Sequence, residues 1–219
     1  GRYELTISPE ALLAEQIGNA GIANDSEVVI YACGMLPYAI RAWWVLRYAG
    51  HDNVRVLNGG LTAWKNAGGK TEQAPRQYEP AVFKGQVRPD MFASKDEVYS
   101  SMESRVVAIV TVLPPVSYEA SHIPGSIAVN CMELMQGDFS HGFDTLLPND
   151  ELALRLKEVS QHKRIITYCG GGIAAAVNAA AHLLTGHKNV AVYDGSLYEW
   201  LGEKLPVIGT GKWEVWMQK

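Results

Sequence analysis

Two stretches of this chain repeat each other, and that duplication limits the fold more than any other feature. The first runs Val28-Val29-Ile30-Tyr31-Ala32-Cys33-Gly34, then an Ala/Trp-rich segment, then Gly50-His51-Asp52-Asn53-Val54-Arg55-Val56-Leu57-Asn58-Gly59-Gly60 and Trp64. The second runs Arg164-Ile165-Ile166-Thr167-Tyr168-Cys169-Gly170, an Ala-rich segment, then Gly186-His187-Lys188-Asn189-Val190-Ala191-Val192-Tyr193-Asp194-Gly195-Ser196 and Trp200. Gly50 and Gly186 stand 136 residues apart, as do Trp64 and Trp200, whereas Tyr31 and Tyr168 stand 137 apart. The copies therefore differ by one residue in the loop after the tyrosine.

Each copy reads as strand, loop, helix, strand. Val28–Tyr31 and Ile165–Tyr168 are short β-branched runs ending in an aromatic, the pattern of buried parallel strands. The segments 38–48 and 172–184 are rich in Ala and Leu without internal proline and predict helices. Val54–Leu57 and Val190–Tyr193 follow as strands. This alternation predicts an α/β fold with a mainly parallel sheet. Ser8-Pro9-Glu10 predicts a helix start with Ser as N-cap and Pro at the first helical position, and Asn149-Asp150-Glu151 predicts another. Between the copies, residues 74–89 carry prolines at 75, 80 and 89 without periodicity and read as a linker. Asp96–Ser101 then predicts a helix and Val106–Val112 a strand, followed by the polar loop 118–126.

The 219 residues correspond to about one and a half domains at roughly 150 residues each. Hydrophobic residues are 47% and charged residues 19%, which excludes wholesale disorder, and the net charge of −4 argues against nucleic acid or an anionic membrane as partner. Three scattered cysteines form neither a disulfide scaffold nor a zinc motif. No apolar run approaches the length of a transmembrane helix, and residues 1–20 lack a signal-peptide pattern. The expected compartment is the cytoplasm.

The chemically informative segment is Cys169-Gly170-Gly171-Gly172-Ile173-Ala174. It follows a buried strand and opens a helix. Its glycines let the backbone curl so that successive N–H groups converge, and the helix N-terminus adds partial positive charge. A cysteine there is expected to hold more thiolate than a free one. The loop has no Lys, Arg or His, so an anion must rely on backbone dipoles. It also lacks a G-x-G-x-x-G or Walker pattern, which excludes a nucleotide cradle.

The chain resembles the tandem rhodanese sulfurtransferases, the thiosulfate and 3-mercaptopyruvate sulfurtransferase family. The resemblance is carried by Ala39-Ile40-Arg41-Ala42-Trp43-Trp44, Gly50–Val54, Asn58–Trp64, Ser121-His122-Ile123-Pro124-Gly125-Ser126, Tyr168–Ala174 and Tyr193–Trp200. It implies two rhodanese-like domains, each a mainly parallel sheet flanked by helices. Residues 1–75 would be a non-catalytic domain lacking its N-terminal part, 76–89 a linker and 90–219 the catalytic domain. It further implies sulfane transfer through a persulfide on Cys169, from thiosulfate or a related anionic donor to cyanide or a thiol, with no cofactor and no metal. The amides of Gly170, Gly171, Gly172, Ile173 and Ala174 would cradle the outer sulfur. Arg41, Glu119, Asp194, Ser196 and Trp200 are the candidates for the cleft, with competing readings as an interface pair for Arg41, a solvated side chain for Glu119, and turn or packing groups for Asp194, Ser196 and Trp200.

The loop departs from both common family patterns: it has neither the basic residues of thiosulfate users nor the Ser and Thr of mercaptopyruvate users. The frequent Asp-x-Arg after the preceding strand is also absent, because the chain reads Thr111-Val112-Leu113. Cys33 is expected to be non-catalytic, since Ala32 occupies the position equivalent to Cys169 and Met35-Leu36-Pro37 replaces the glycines. Cys131 and His122 are expected to be structural. A related phosphatase or arsenate reductase would need Arg where Ala175 stands. The alternative is a non-catalytic rhodanese-like binding module or sulfur carrier. The first copy lacks an upstream strand, which raises the expectation of an additional N-terminal segment completing it, either a separate peptide after cleavage or a part outside this sequence.

Overall fold

The computed structural model describes residues 3, 5–138 and 142–210. In chain order the elements begin with α1 (Glu10–Asn19), β1 (Val28–Ile30), α2 (Leu36–Tyr48), β2 (Val54–Val56) and α3 (Gly60–Asn66). Then come β3 (Phe92–Ala93), α4 (Lys95–Ser101), β4 (Val107–Thr111), α5 (Pro115–Ala120), β5 (Ser121–His122) and β6 (Ser126–Ala128). The hairpin β7 (Met135–Asp138) and β8 (Gly142–Leu146) precedes α6 (Asn149–Leu156), β9 (Arg164–Tyr168), α7 (Ala175–Leu184), β10 (Val190–Tyr193), α8 (Ser196–Gly202) and β11 (Ile208–Gly209). Among the described residues no helix is long and apolar enough to cross a membrane.

The chain divides into two compact units. The first comprises residues 7–89 and 135–146. Its sheet is a parallel pair, β1 with β2, in the register Val28↔Val54 to Ile30↔Val56. Leu13 and Ile17 of α1, Leu46 and Ala49 at the end of α2, Val54 and Phe83 form its core. The β7–β8 hairpin also belongs to this unit: the Leu146 N–H donates to Asn58 Oδ1 (2.8 Å) and the Gly59 N–H to the Asp144 carbonyl (2.8 Å).

The stretch read as a linker is part of this unit. The Ala81 N–H donates to the Gly18 carbonyl (2.8 Å), the Gln86 N–H to that of Ala49 (3.0 Å) and the Arg88 N–H to that of Tyr48 (2.9 Å). Its prolines keep it out of helix and sheet ladder, yet Phe83 is apolar enough to fill the core. The Arg88 side chain adds a bidentate pair with Asp52 (2.8 and 2.6 Å).

The second unit comprises residues 2–6, 90–134 and 147–219, of which 3, 5, 6, 90–134 and 147–210 are described. Its sheet has five parallel strands in the order β3-β10-β9-β4-β6. The centre is β9, all but its first residue buried, as its β-branched run predicts. Helix α7 is buried from Ala175 through His182, and its small alanines let it lie close against the sheet. Helix α4 starts on Ser94, whose side chain accepts from the Glu97 N–H (3.1 Å).

The two predicted side-chain caps differ. Helix α1 begins at Glu10 with Pro9 at the cap, and α6 begins at Asn149 with Pro148 at the cap; neither has a capping side chain. In both cases the proline, with its fixed φ, sets the entry to the helix.

Candidate active site

Cys169 follows the last residue of the central strand β9. Loop 169–174 carries the chain from the end of that strand into the first turn of α7. The cysteine is buried, and the Gly172 N–H donates to its Sγ (3.1 Å). Gly172 has φ +82°, and a Cβ there would lie 2.7 Å from the Asp194 carbonyl oxygen and 3.0 Å from Asp194 Oδ1. Glycine is thus required twice over, by conformation and by space, to bring its amide onto sulfur. Gly171 is also confined, since a Cβ on it would meet the Tyr198 ring at 2.9 Å.

The other wall of the loop is the start of α8. The Leu197 N–H donates to the Cys169 carbonyl (3.1 Å) and the Tyr198 N–H to that of Gly170 (3.0 Å). The Cys169 N–H donates to Ser196 Oγ (3.1 Å), and that hydroxyl donates to the Tyr193 carbonyl (2.8 Å). Ser196 is fully buried with φ +48°, a left-handed conformation uncommon for a residue with a side chain. Its counterpart in the first copy is Gly60, with φ +54°. The first copy meets the turn with glycine. The second holds a serine there and gains an acceptor for the cysteine amide.

Tyr168 supplies an anchor that sequence reasoning did not find. Its hydroxyl accepts from the Ile123 N–H (3.0 Å) and pairs with Ser126 Oγ (2.9 Å), tying the His-Ile-Pro-Gly loop to the residue before the cysteine. The pair gives this end of the strand a buried polar contact although the chain has no Asp-x-Arg there. The available signal was a hydroxyl-bearing aromatic at the buried end of the strand. Burial pushes the Tyr168 phenol up to about 12, keeping it a neutral hydrogen-bonding group.

The other candidates fall in several places. Asp194 lies against Gly172. Arg41 is buried on α2 of the first unit and Glu119 is exposed on α5 of the second. Trp200 is fully buried, with Nε1 donating to the Pro206 carbonyl (2.7 Å) and the Tyr193 ring 6.1 Å away, so it packs in the core rather than lining a cleft. His122 Nδ1 donates to the Tyr118 carbonyl (2.7 Å) and its ring stacks on Tyr118 at 3.8 Å, which is a loop-fixing role. Cys33 is exposed and Cys131 buried. Burial first, and then the neighbouring Cys169, push the Cys131 thiol up to about 12, so it is a poor nucleophile.

A cleft of about 410 Å³ is lined by Tyr3, Ser94, Lys95, Tyr193, Asp194 and Glu199. There the Tyr193 hydroxyl donates to Glu199 (2.8 Å), and burial followed by that carboxylate raises the tyrosine pKa. Among the described residues no group of three or more His, Cys, Asp or Glu is arranged to hold a metal ion.

A sequence model of the rhodanese-like domain matches residues 2–67 and 94–203. Thiosulfate sulfurtransferase of Bos taurus is 33% identical over 218 residues, covering 93% of this chain and 72% of the bovine protein. A putative thiosulfate sulfurtransferase of Mycobacterium tuberculosis, SseB, is 30% identical over 225 residues, covering 96% of this chain and 76% of the relative. Among solved structures, the 3-mercaptopyruvate sulfotransferase SseA of Escherichia coli superposes with a TM-score of 0.79 at 26% identity, over 89% of this chain and 76% of that one.

Proposed function

This chain belongs to the rhodanese family and is a sulfurtransferase with sulfur-donor and sulfur-acceptor substrates, and from that premise we propose that Cys169 carries the sulfur as a persulfide. The observation that supports this most directly is the Gly172 N–H donated to Cys169 Sγ at 3.1 Å, in a loop that joins the central parallel strand to a helix. In the first step the Cys169 thiolate attacks the sulfane sulfur of the donor. The new S–S bond forms as the donor's S–S or C–S bond breaks, and the leaving group departs with the electron pair. In the second step the acceptor, cyanide or a thiol, attacks the outer sulfur and Cys169 leaves as thiolate.

The chain's own groups serve this by position and by dipole. The Gly172 amide, with the start of α7, opposes the negative charge on sulfur. Ser196 is a positioning residue: it grips the Cys169 amide and so fixes where the thiol points. The donor in this reading is thiosulfate or a related sulfur compound such as 3-mercaptopyruvate. The reaction needs no cofactor in this reading, because the cysteine itself holds the transferred atom. A purely non-catalytic binding role is not favoured.

The test is thiocyanate formation from cyanide with each donor, together with the mass of the Cys169 peptide. A one-sulfur increment on that peptide after donor treatment, and activity lost in Cys169→Ser but retained in Cys33→Ser, are expected. Equal activity in wild type and Cys169→Ser would discard the assignment.

A further inference from the structure

Leu5 stands in the left-handed region at φ +70°. That conformation is uncommon for a bulky L residue and persists only where surroundings hold it. Here they do. Thr6 Oγ1 donates to the Tyr3 carbonyl (2.7 Å) and the Thr6 N–H to the same oxygen (3.4 Å). The Tyr3 hydroxyl donates to Glu203 Oε1 (3.4 Å), and its ring covers Gly202, where a Cβ would come within 3.1 Å. The turn and the sulfur loop lie in the same unit.

The consequence is a contact on the sulfur loop. A Cβ on Gly171 would meet Leu5 Cδ1 at 3.0 Å and the Tyr198 ring at 2.9 Å, so the residue two after Cys169 sits in an apolar slot between these side chains. Leu5 remains 54% exposed. It thus presents one face to the loop and another outward, as an apolar surface beside Gly171, two residues after Cys169.

We propose that Leu5, with Tyr198, is a specificity-determining residue that favours sulfur donors with a hydrocarbon or aromatic body over small inorganic anions. This rests on Cys169 being the sulfur carrier. An apolar surface there offers a hydrated dianion such as thiosulfate no partner for the water it sheds, whereas an aryl group gains by covering it. The chemistry is the same for both. With an arylthiosulfonate, Cys169–S⁻ attacks the terminal sulfur, the S–S bond to the sulfonyl breaks, and arylsulfinate leaves with the pair. With thiosulfate the leaving group is sulfite. Neither step needs an oxidant or reductant.

The experiment compares kcat/KM for benzenethiosulfonate and for thiosulfate, with cyanide as the common acceptor, in wild type, Leu5→Ala and Leu5→Asn. Asparagine tolerates the left-handed conformation, so it separates the side chain's apolar surface from the shape of the turn. The aryl-to-inorganic preference should shrink by about five- to tenfold in both variants, mainly through KM of the aryl donor. The same preference in all three proteins, or an equal loss with both donors, would overturn the proposal. If the Cys169 peptide still gains one sulfur in that case, only the role of Leu5 falls. If it gains none from either donor, the carrier assignment falls and takes this inference with it.

Discussion

The two copies of the strand–loop–helix unit share a sequence pattern but not an environment. In the second, β9 lies between β10 and β4, and Ile166 and Tyr168 are both fully buried. In the first, among the described residues, β1 pairs with β2 alone, and Val29 and Tyr31, their counterparts, are 56% and 55% exposed. The loops after them diverge in the same way. Cys169 is buried, with an amide on its sulfur and a serine on its own amide. Cys33 is exposed, followed by Gly34 at φ +97° in open space. The first copy keeps the β-branched strand but has Ala32 where Cys169 stands and Met35-Leu36-Pro37 in place of the glycines. Around Cys169 the turn is confined by Asp194 and Tyr198, and Ser196 accepts from the cysteine amide.

That contrast can be broken most sharply with one methyl group placed in each copy. Gly172→Ala puts a Cβ 2.7 Å from a backbone oxygen at φ +82°. The loop must shift and the sulfur loses its donor, so sulfur transfer should fall about a hundred- to a thousandfold. Gly34→Ala meets nothing within 4 Å and should cost only about 1 kcal/mol of stability, through its positive φ, with activity nearly kept. Steady-state thiocyanate assays and thermal melts on both variants check this, and comparable activity losses would remove the distinction.

The next effect concerns acid. His182, on α7 of the second copy, is fully buried, and Leu46 stands at its position in the first. Burial, and then His187, lower its pKa from 6.5 to about 4. The folded protein keeps this ring neutral while the unfolded chain binds a proton near 6.5. Stability is therefore complete above that pH and is lost progressively as pH falls toward 4, by about 3 kcal/mol in all. Urea titrations at pH 7, 5.5 and 4.5 should show this slope, and His182→Leu should flatten it. A slope unchanged in the variant would place the acid sensitivity elsewhere.

The smallest expected effect tests the serine that replaces a glycine. Ser196→Gly restores the first copy's solution, relieves the left-handed strain and removes the acceptor for the Cys169 amide. Stability should hold within about 1 kcal/mol while kcat falls about tenfold, a split that melting curves and kinetics on one sample resolve. Loss of both together would mean that the hydroxyl acts only as a structural group.

Much of this protein was legible in the sequence by itself. The duplication, the α/β alternation, the strand Val190–Tyr193 and the loop at Cys169 all follow from periodicity and glycine spacing, which act over a few residues. Contacts between distant segments were not legible, because no local pattern states which neighbour a side chain will meet. Whether β1 or β9 is covered depends on which strands lie beside each. The proline-rich 81–88 stretch joins the first unit because Phe83 finds a core. The Tyr168–Ser126 pair spans 42 residues and the Cys169–Ser196 bond 27. The Leu5 contact on Gly171 spans more than 160. Local sequence set the chemistry available at residue 169 and already set Cys33 apart from it, and only the tertiary structure decided that Cys169 is buried with the Gly172 amide on its sulfur, because orientation and burial come from contacts that close over long stretches of chain.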